Sequence, residues 1–115
     1  CTSTYPTNDD ETNLNVIKTL RQKFNCPVGY SGHERGVRQT IVAMSIGACV
    51  VERHITLDRA MYGSDQAASL ERKGIEMICE YAKMIPIYLG DGVKKVFDSE
   101  KLVIKKIRKV DKLFE

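Results

Sequence analysis

The stretch Cys49–Glu71, CVVERHITLDRAMYGSDQAASLE, passes from apolar residues through a polar loop into a second amphipathic segment. Cys49, Val50 and Val51 form the short β-branched run expected of a parallel strand covered on both faces. The run gives way to Glu52, Arg53 and His54 where the strand should stop. Gly63, Ser64 and Asp65 read as a turn, and Ser69 is placed to cap a helix starting at Leu70, with Glu71 favouring the positive end of its dipole. The whole reads as a strand, a loop carrying histidine, aspartate and glutamine, and a helix.

The same alternation extends outward on both sides. Thr2 to Thr7 read as the end of a strand closed by Pro6 and by the polar cluster Asn8 to Thr12. Val16, Leu20 and Phe24, with Ile17 beside them, recur at helical spacing, and Asn25 supplies a stop. Pro27 to Tyr30 predict a brief strand, followed by the loop Ser31 to Gly36, so a second strand also ends near a histidine, His33. Val37, Ile41 and Met44, with Ala48 beyond, give another apolar stripe, which Gly47 ends.

Beyond Glu71, Ile75, Ile78, Cys79, Ala82, Ile85 and Leu89 share one face of a third helix, which Pro86 is expected to kink or end. Gly90, Asp91 and Gly92 are a turn. From Lys101 onward, Val103, Ile107, Val110 and Phe114 have roughly helical spacing.

Strands alternating with amphipathic helices predict βαβ units and a parallel sheet, in an open doubly wound fold or in part of a (β/α)8 barrel. Both architectures place ligands at the C-terminal ends of the strands. The sequence has neither a dinucleotide glycine fingerprint nor a phosphate loop ending in Gly-Lys-Ser/Thr, which favours the barrel.

Composition agrees with one globular domain: 115 residues, 43% hydrophobic and 29% charged. No apolar run approaches the ~20 residues of a membrane helix, and no basic, apolar, small-residue stretch at the start of the sequence suggests a signal peptide, so a cytoplasmic protein is expected. Cys1, Cys26, Cys49 and Cys79 lack zinc-site spacing and are expected to be reduced, buried thiols. The net charge of +3 comes largely from the end of the chain, around Lys94, Lys95, Lys101, Lys105, Lys106, Arg108, Lys109 and Lys112. Without a recognised nucleic-acid module around it, this basic tail (residues 101–115) reads as a solvated face, and neither a nucleic acid nor a membrane partner is expected. Because the first residue is cysteine and the first element lacks a beginning, the chain is expected to be a piece of a longer one.

The two histidines are the main candidates for chemistry. They end consecutive strands, so their imidazoles could meet over one site and share a divalent cation, or each could simply hydrogen-bond a loop. Ser3 and Ser31 could offer hydroxyls to a phosphate or carboxylate, with Arg53 or Arg59 supplying charge, or be ordinary loop serines. Asp65 could accept hydrogen bonds from a sugar or close an Asx turn. Tyr5 could face a ligand or pack beneath its loop.

The ordered motifs CTSTYPT (Cys1–Thr7), NLNVIKTL (Asn13–Leu20), VGYSGHERG (Val28–Gly36), GACVVERHITLD (Gly47–Asp58) and GSDQAASLE (Gly63–Glu71) resemble the sialic acid synthase family, the N-acetylneuraminate synthases and their relatives. The resemblance covers residues 1–100. It implies the C-terminal part of a (β/α)8 TIM-type barrel, comprising the end of the sixth strand and the last two βα units. It further implies condensation of phosphoenolpyruvate with N-acetylmannosamine, its 6-phosphate or a related amino sugar, with a divalent metal, Mn2+ or alternatively Mg2+, polarising the aldehyde.

By motif position, His33 and His54 are the implied metal ligands, Ser3 and Ser31 part of the phosphoenolpyruvate site, and Tyr5 and Asp65 contacts to the amino sugar. Gly32 stands where many members have Asp, and Gln66 where many have His. The family's catalytic glutamate, its phosphate-binding lysines and its antifreeze-like domain lie outside this sequence, so the chain alone is expected to be inactive. A partial barrel exposes strand edges, so homo-oligomerisation is also expected. The alternative from another class is a noncatalytic half-barrel interaction module.

Overall fold

The computed structural model describes residues 1–107 and shows parallel strands alternating with helices. After a 3-10 turn at Asp9–Glu11, helix α1 runs Val16–Phe24. It ends where Asn25 enters the left-handed region at φ 48° and returns its N–H to the Arg21 carbonyl, a geometry Asn tolerates better than most side chains. Strand β1 (Tyr30–Gly32) leads into helix α2 (Arg38–Ser45), and Gly47, at φ 100°, turns the chain toward strand β2 (Val51–Arg53). Helices α3 (Arg72–Leu89) and α4 (Asp98–Ile107) complete the order.

The strands pair in parallel, with Tyr30 opposite Val51, Ser31 opposite Glu52 and Gly32 opposite Arg53. A parallel bridge joins Thr7 to Glu34 on one side, and another joins Ile55 to Leu70 on the other. Four chain segments therefore lie side by side just past the strand ends, where the sequence places its polar loops. Beneath β1, Ile17, Tyr30 and Ala43 form the buried core, with Leu14, Val28, Ile46 and Ala48 packed against it.

Several expectations are corrected by the structure. Cys49, Val50 and Val51 are not a strand covered on both faces. β2 begins at Val51, Val50 is exposed, and among the described residues no element covers it. The four cysteines are free as expected, but all are exposed rather than buried, because the apolar faces that carry Cys49 and Cys79 are likewise open. Along α1 only Ile17 is buried, while Val16, Leu20 and Phe24 remain exposed.

Ser69 does not cap a helix at Leu70. The Leu70 backbone is held in the ladder, its N–H donating to the His54 carbonyl (2.8 Å) and its carbonyl accepting from Thr56 (2.9 Å). The helix therefore starts two residues later, at Arg72. Pro86 does not end α3, which continues to Leu89. It falls in the last turn, where its missing N–H costs a single ladder bond, and Gly90 closes the helix by donating to the Pro86 carbonyl. No strand is assigned to Thr2–Thr7, whose ladder contact is the single bridge at Thr7. The tail helix is seen as α4, whereas Arg108, Lys109, Val110, Lys112 and Phe114 lie outside the described residues.

Exposed surface amounts to 9142 Å², against roughly 6,300 Å² for a folded monomer of this mass. The radius of gyration is 19.6 Å, against about 13 Å for a compact domain of this length. Among the described residues no helix is long and apolar enough to cross a membrane.

Candidate functional site at the strand ends

Alternation along a strand sends Ser31 and His33 to one face and Gly32 and Glu34 to the other, and the parallel register does the same for Glu52 and His54 against Arg53. On the first face the Ser31 hydroxyl donates to Glu52 Oε1 at 3.0 Å and lies 3.5 Å from His33 Nε2. One step beyond, the His33 and His54 rings stand nearly perpendicular with centroids 5.3 Å apart. The Tyr5 ring packs over both, at 4.3 Å from His33 and 5.7 Å from His54.

His33 is 5% exposed, and its Nδ1 lies 2.9 Å from the Thr2 carbonyl. A carbonyl only accepts, so Nδ1 carries the proton and the Nε2 lone pair is left for a ligand. Hydrogen bonding of the far ring nitrogen to a carbonyl is the support that metal-ligating histidines commonly have. His54 is more open, with Nδ1 3.5 Å from Asp65 Oδ2. Asp65 also accepts from Ser64 Oγ at 2.9 Å.

The structure thus brings Tyr5, Ser31, His33, His54 and Asp65 to one place. Ser3 stands apart: its hydroxyl meets Cys1 Sγ at 3.7 Å, and no hydrogen bond joins it to the cluster among the described residues. No three His, Cys, Asp or Glu side chains converge as a metal-binding group among the described residues. Two imidazoles this close could serve as part of a divalent cation's ligand set, the remaining ligands coming from outside this cluster.

On the opposite face lies a buried network that sequence reading missed. Arg53 was a candidate to meet a phosphate, but both terminal nitrogens of its guanidinium are engaged internally, and among the described residues its buried Nε has no partner. Nη1 donates to Glu34 Oε1 (2.9 Å), the Gly36 carbonyl (2.8 Å) and Thr40 Oγ1 (2.9 Å), and Nη2 to the carbonyls of Glu34 (2.8 Å) and Ala68 (3.1 Å). Glu34 is fully buried, and its carboxylate also accepts from the Thr40 N–H and hydroxyl and from Tyr30 OH at 2.9 Å. The available signal was the pairing itself, an acid directly after one histidine and a base directly before the other. Glu52 was missed as a member of the imidazole face, although it stands two residues from His54.

Burial lowers the Arg53 pKa from its ordinary value, against the opposing pull of Glu34. Tyr30 is held strongly in its neutral form, first by burial and then by the Glu34 carboxylate it donates to. The folded protein therefore keeps a proton that the unfolded chain releases near pH 10, so stability is lost as pH rises through that point. Urea midpoints measured from pH 9 to 11.5 should fall, and Tyr30→Phe should flatten the decline. Parallel curves for the two proteins would contradict the assignment.

Comparison with known proteins gives a consistent result. The NeuB family model matches residues 1–94. The chain is 42% identical over 109 residues to the N,N'-diacetyllegionaminic acid synthase of Campylobacter jejuni, covering 95% of this chain and 33% of that protein. It is 38% identical over 110 residues to the N-acetylneuraminate-9-phosphate synthase of Homo sapiens, covering 95% of this chain and 31% of that one.

Its structure superposes on the N-acetylneuraminic acid (sialic acid) synthetase of Leptospira borgpetersenii, solved in complex with citrate. The TM-score is 0.76 at 35% identity, covering 92% of this chain and 37% of that chain. The chain thus spans about a third of the length of these relatives. On a family match to most of its length and on a shared α/β fold, this chain belongs to the NeuB family.

Proposed function

We propose that the chain forms the end of the sixth strand and the last two βα units of a (β/α)8 barrel. In that barrel it supplies the metal-holding part of a cytoplasmic synthase making a nonulosonic acid such as N-acetylneuraminate. The reaction joins the methylene carbon of phosphoenolpyruvate to the aldehyde carbon of an N-acetylmannosamine-type sugar, free or 6-phosphorylated. Water then attacks the enolpyruvate carbon, and inorganic phosphate leaves. The observation that carries this reading is the in-register meeting of His33 and His54 beneath the Tyr5 ring.

Each residue has a task that follows from its surroundings. His33 and His54 would hold the cation, Mn2+ or alternatively Mg2+, which when bound draws electron density from the acceptor aldehyde oxygen. His33 is pre-oriented by the Thr2 carbonyl. Ser31 would donate its hydroxyl proton to phosphoenolpyruvate in place of Glu52, its acceptor in this structure, and Ser3 would join it if the first loop moves inward on binding. Tyr5 presents an aromatic face to the sugar beside both rings. The large exposed surface supports covering by the rest of the barrel and by further copies in a homo-oligomer.

Asp65 tests the sugar-binding part. If it contacts sugar hydroxyls in ground and transition states alike, Asp65→Ala in the intact synthase raises the sugar KM roughly 10- to 100-fold, the worth of a hydrogen bond to a charged group. The KM for phosphoenolpyruvate should stay unchanged. A lowered kcat with unchanged sugar KM would instead confine Asp65 to orienting His54.

A further inference from the structure

The Glu34–Arg53 pair is built between the two histidine-bearing segments, and its ties are distributed in a way that a simple stability role does not require. Arg53 is the residue before His54, and Glu34 the residue after His33. Their side chains meet on the face opposite the imidazoles, 2.9 Å apart and 4% and 0% exposed. From there the guanidinium reaches carbonyls on both sides. Those of Glu34 and Gly36 fix the loop after β1, and that of Ala68 fixes the segment leading to Leu70. Leu70 in turn donates its N–H to the His54 carbonyl. One planar cation thus ties the loop after β1 to the segment before Leu70.

Gly32 is what lets the cation cross. It stands opposite Arg53 in the ladder, and a Cβ there would come within 2.5 Å of Glu34 Oε2, 2.7 Å of Tyr30 Cε1 and 2.9 Å of Arg53 Cδ. Any side chain at position 32 would displace the pair. The planar fork of arginine is also required, because a lysine ammonium has three donors and no planar geometry to serve the Glu34 carboxylate, the Thr40 hydroxyl and three carbonyls from two terminal nitrogens.

We propose that Glu34 and Arg53 are positioning residues that set the separation and orientation of the His33 and His54 rings, and so the affinity of the two-histidine site for a divalent cation. They touch neither substrate nor cation, and act through the backbone that joins each of them to its neighbouring histidine. The proposal deepens the metal-site reading given above and rests on it. Loss of groups that support metal ligands typically weakens binding 10- to 100-fold.

The test is titration of the whole chain with MnCl2 by calorimetry, together with nuclear Overhauser contacts between the two imidazole rings in the metal-free protein. Arg53→Lys and Gly32→Ala should each weaken Mn2+ binding at least tenfold and reduce the ring-to-ring contacts. Ile17→Ala, which loosens the buried core beneath β1, should lower the unfolding midpoint and leave both readouts as they are. Native affinity and native ring contacts in both Arg53→Lys and Gly32→Ala would overturn the proposal. Should Arg53→Lys fail to fold, Gly32→Ala decides alone, since it keeps every charge. If the native chain binds no Mn2+, the metal-site reading fails, and the ring contacts then judge the positioning role: lost in the variants, it stands; retained, it falls.

Discussion

His54→Ala in the intact synthase is expected to lower kcat by about a thousandfold, or about 4 kcal/mol of transition-state stabilisation, with both KM values changed by less than about threefold. The reasoning starts from when charge appears. Negative charge develops on the acceptor oxygen only as the new carbon-carbon bond forms, so a ligand set that neutralises it acts on the transition state more than on substrate binding. His54 follows β2 directly, with its Nδ1 3.5 Å from Asp65 Oδ2 and its ring 5.3 Å from that of His33. Removing it leaves one imidazole, too few to hold a cation firmly in place. Steady-state rates at saturating Mn2+, with each substrate varied in turn, provide the check. An undiminished kcat would remove His54 from the metal site.

Glu34→Ala is expected to cost about 3–5 kcal/mol of stability. The substitution leaves the Arg53 charge buried, 4% exposed, with carbonyl and hydroxyl partners but no counter-ion. It also strips the Thr40 N–H and hydroxyl and Tyr30 OH of their acceptor. Replacing both partners, as in Glu34→Ala with Arg53→Met, should recover much of the loss, because the uncompensated charge goes as well. Urea unfolding followed by circular dichroism measures both. A loss below about 1 kcal/mol in the single variant would mean that water reaches the guanidinium.

How much of this was legible beforehand depended on whether the signal was local. Asn25 and Gly47 mark helix ends through the positive φ they adopt, and the alternation of strand and helix follows from hydrophobic period. Both were readable from the sequence, as was the placement of His33 and His54 past consecutive strands. Burial was not readable. Val50 and the cysteines look like core residues by type, yet no described element covers them.

The register of the ladder was equally hidden. Leu70 resembles the first residue of a helix, but its backbone is engaged with His54 and Thr56, so the tertiary hydrogen bond overrides the local cap. Arg53 was misjudged for the same reason. A charged residue at a strand end suggests an anion site, and only the register opposite Gly32, with Glu34 two residues on, turns it inward. The family motifs identified the imidazole face, and the buried pair behind it became visible only in three dimensions.

In the proposed site His33 and His54 share one divalent cation. Electron spin-echo modulation of Mn2+ added to the chain with 15N-labelled histidine measures the number of bound imidazole nitrogens directly. Two coupled nitrogens are expected in the native chain and fewer in either His33→Ala or His54→Ala. A spectrum without nitrogen coupling, or one left unchanged by both substitutions, would contradict it.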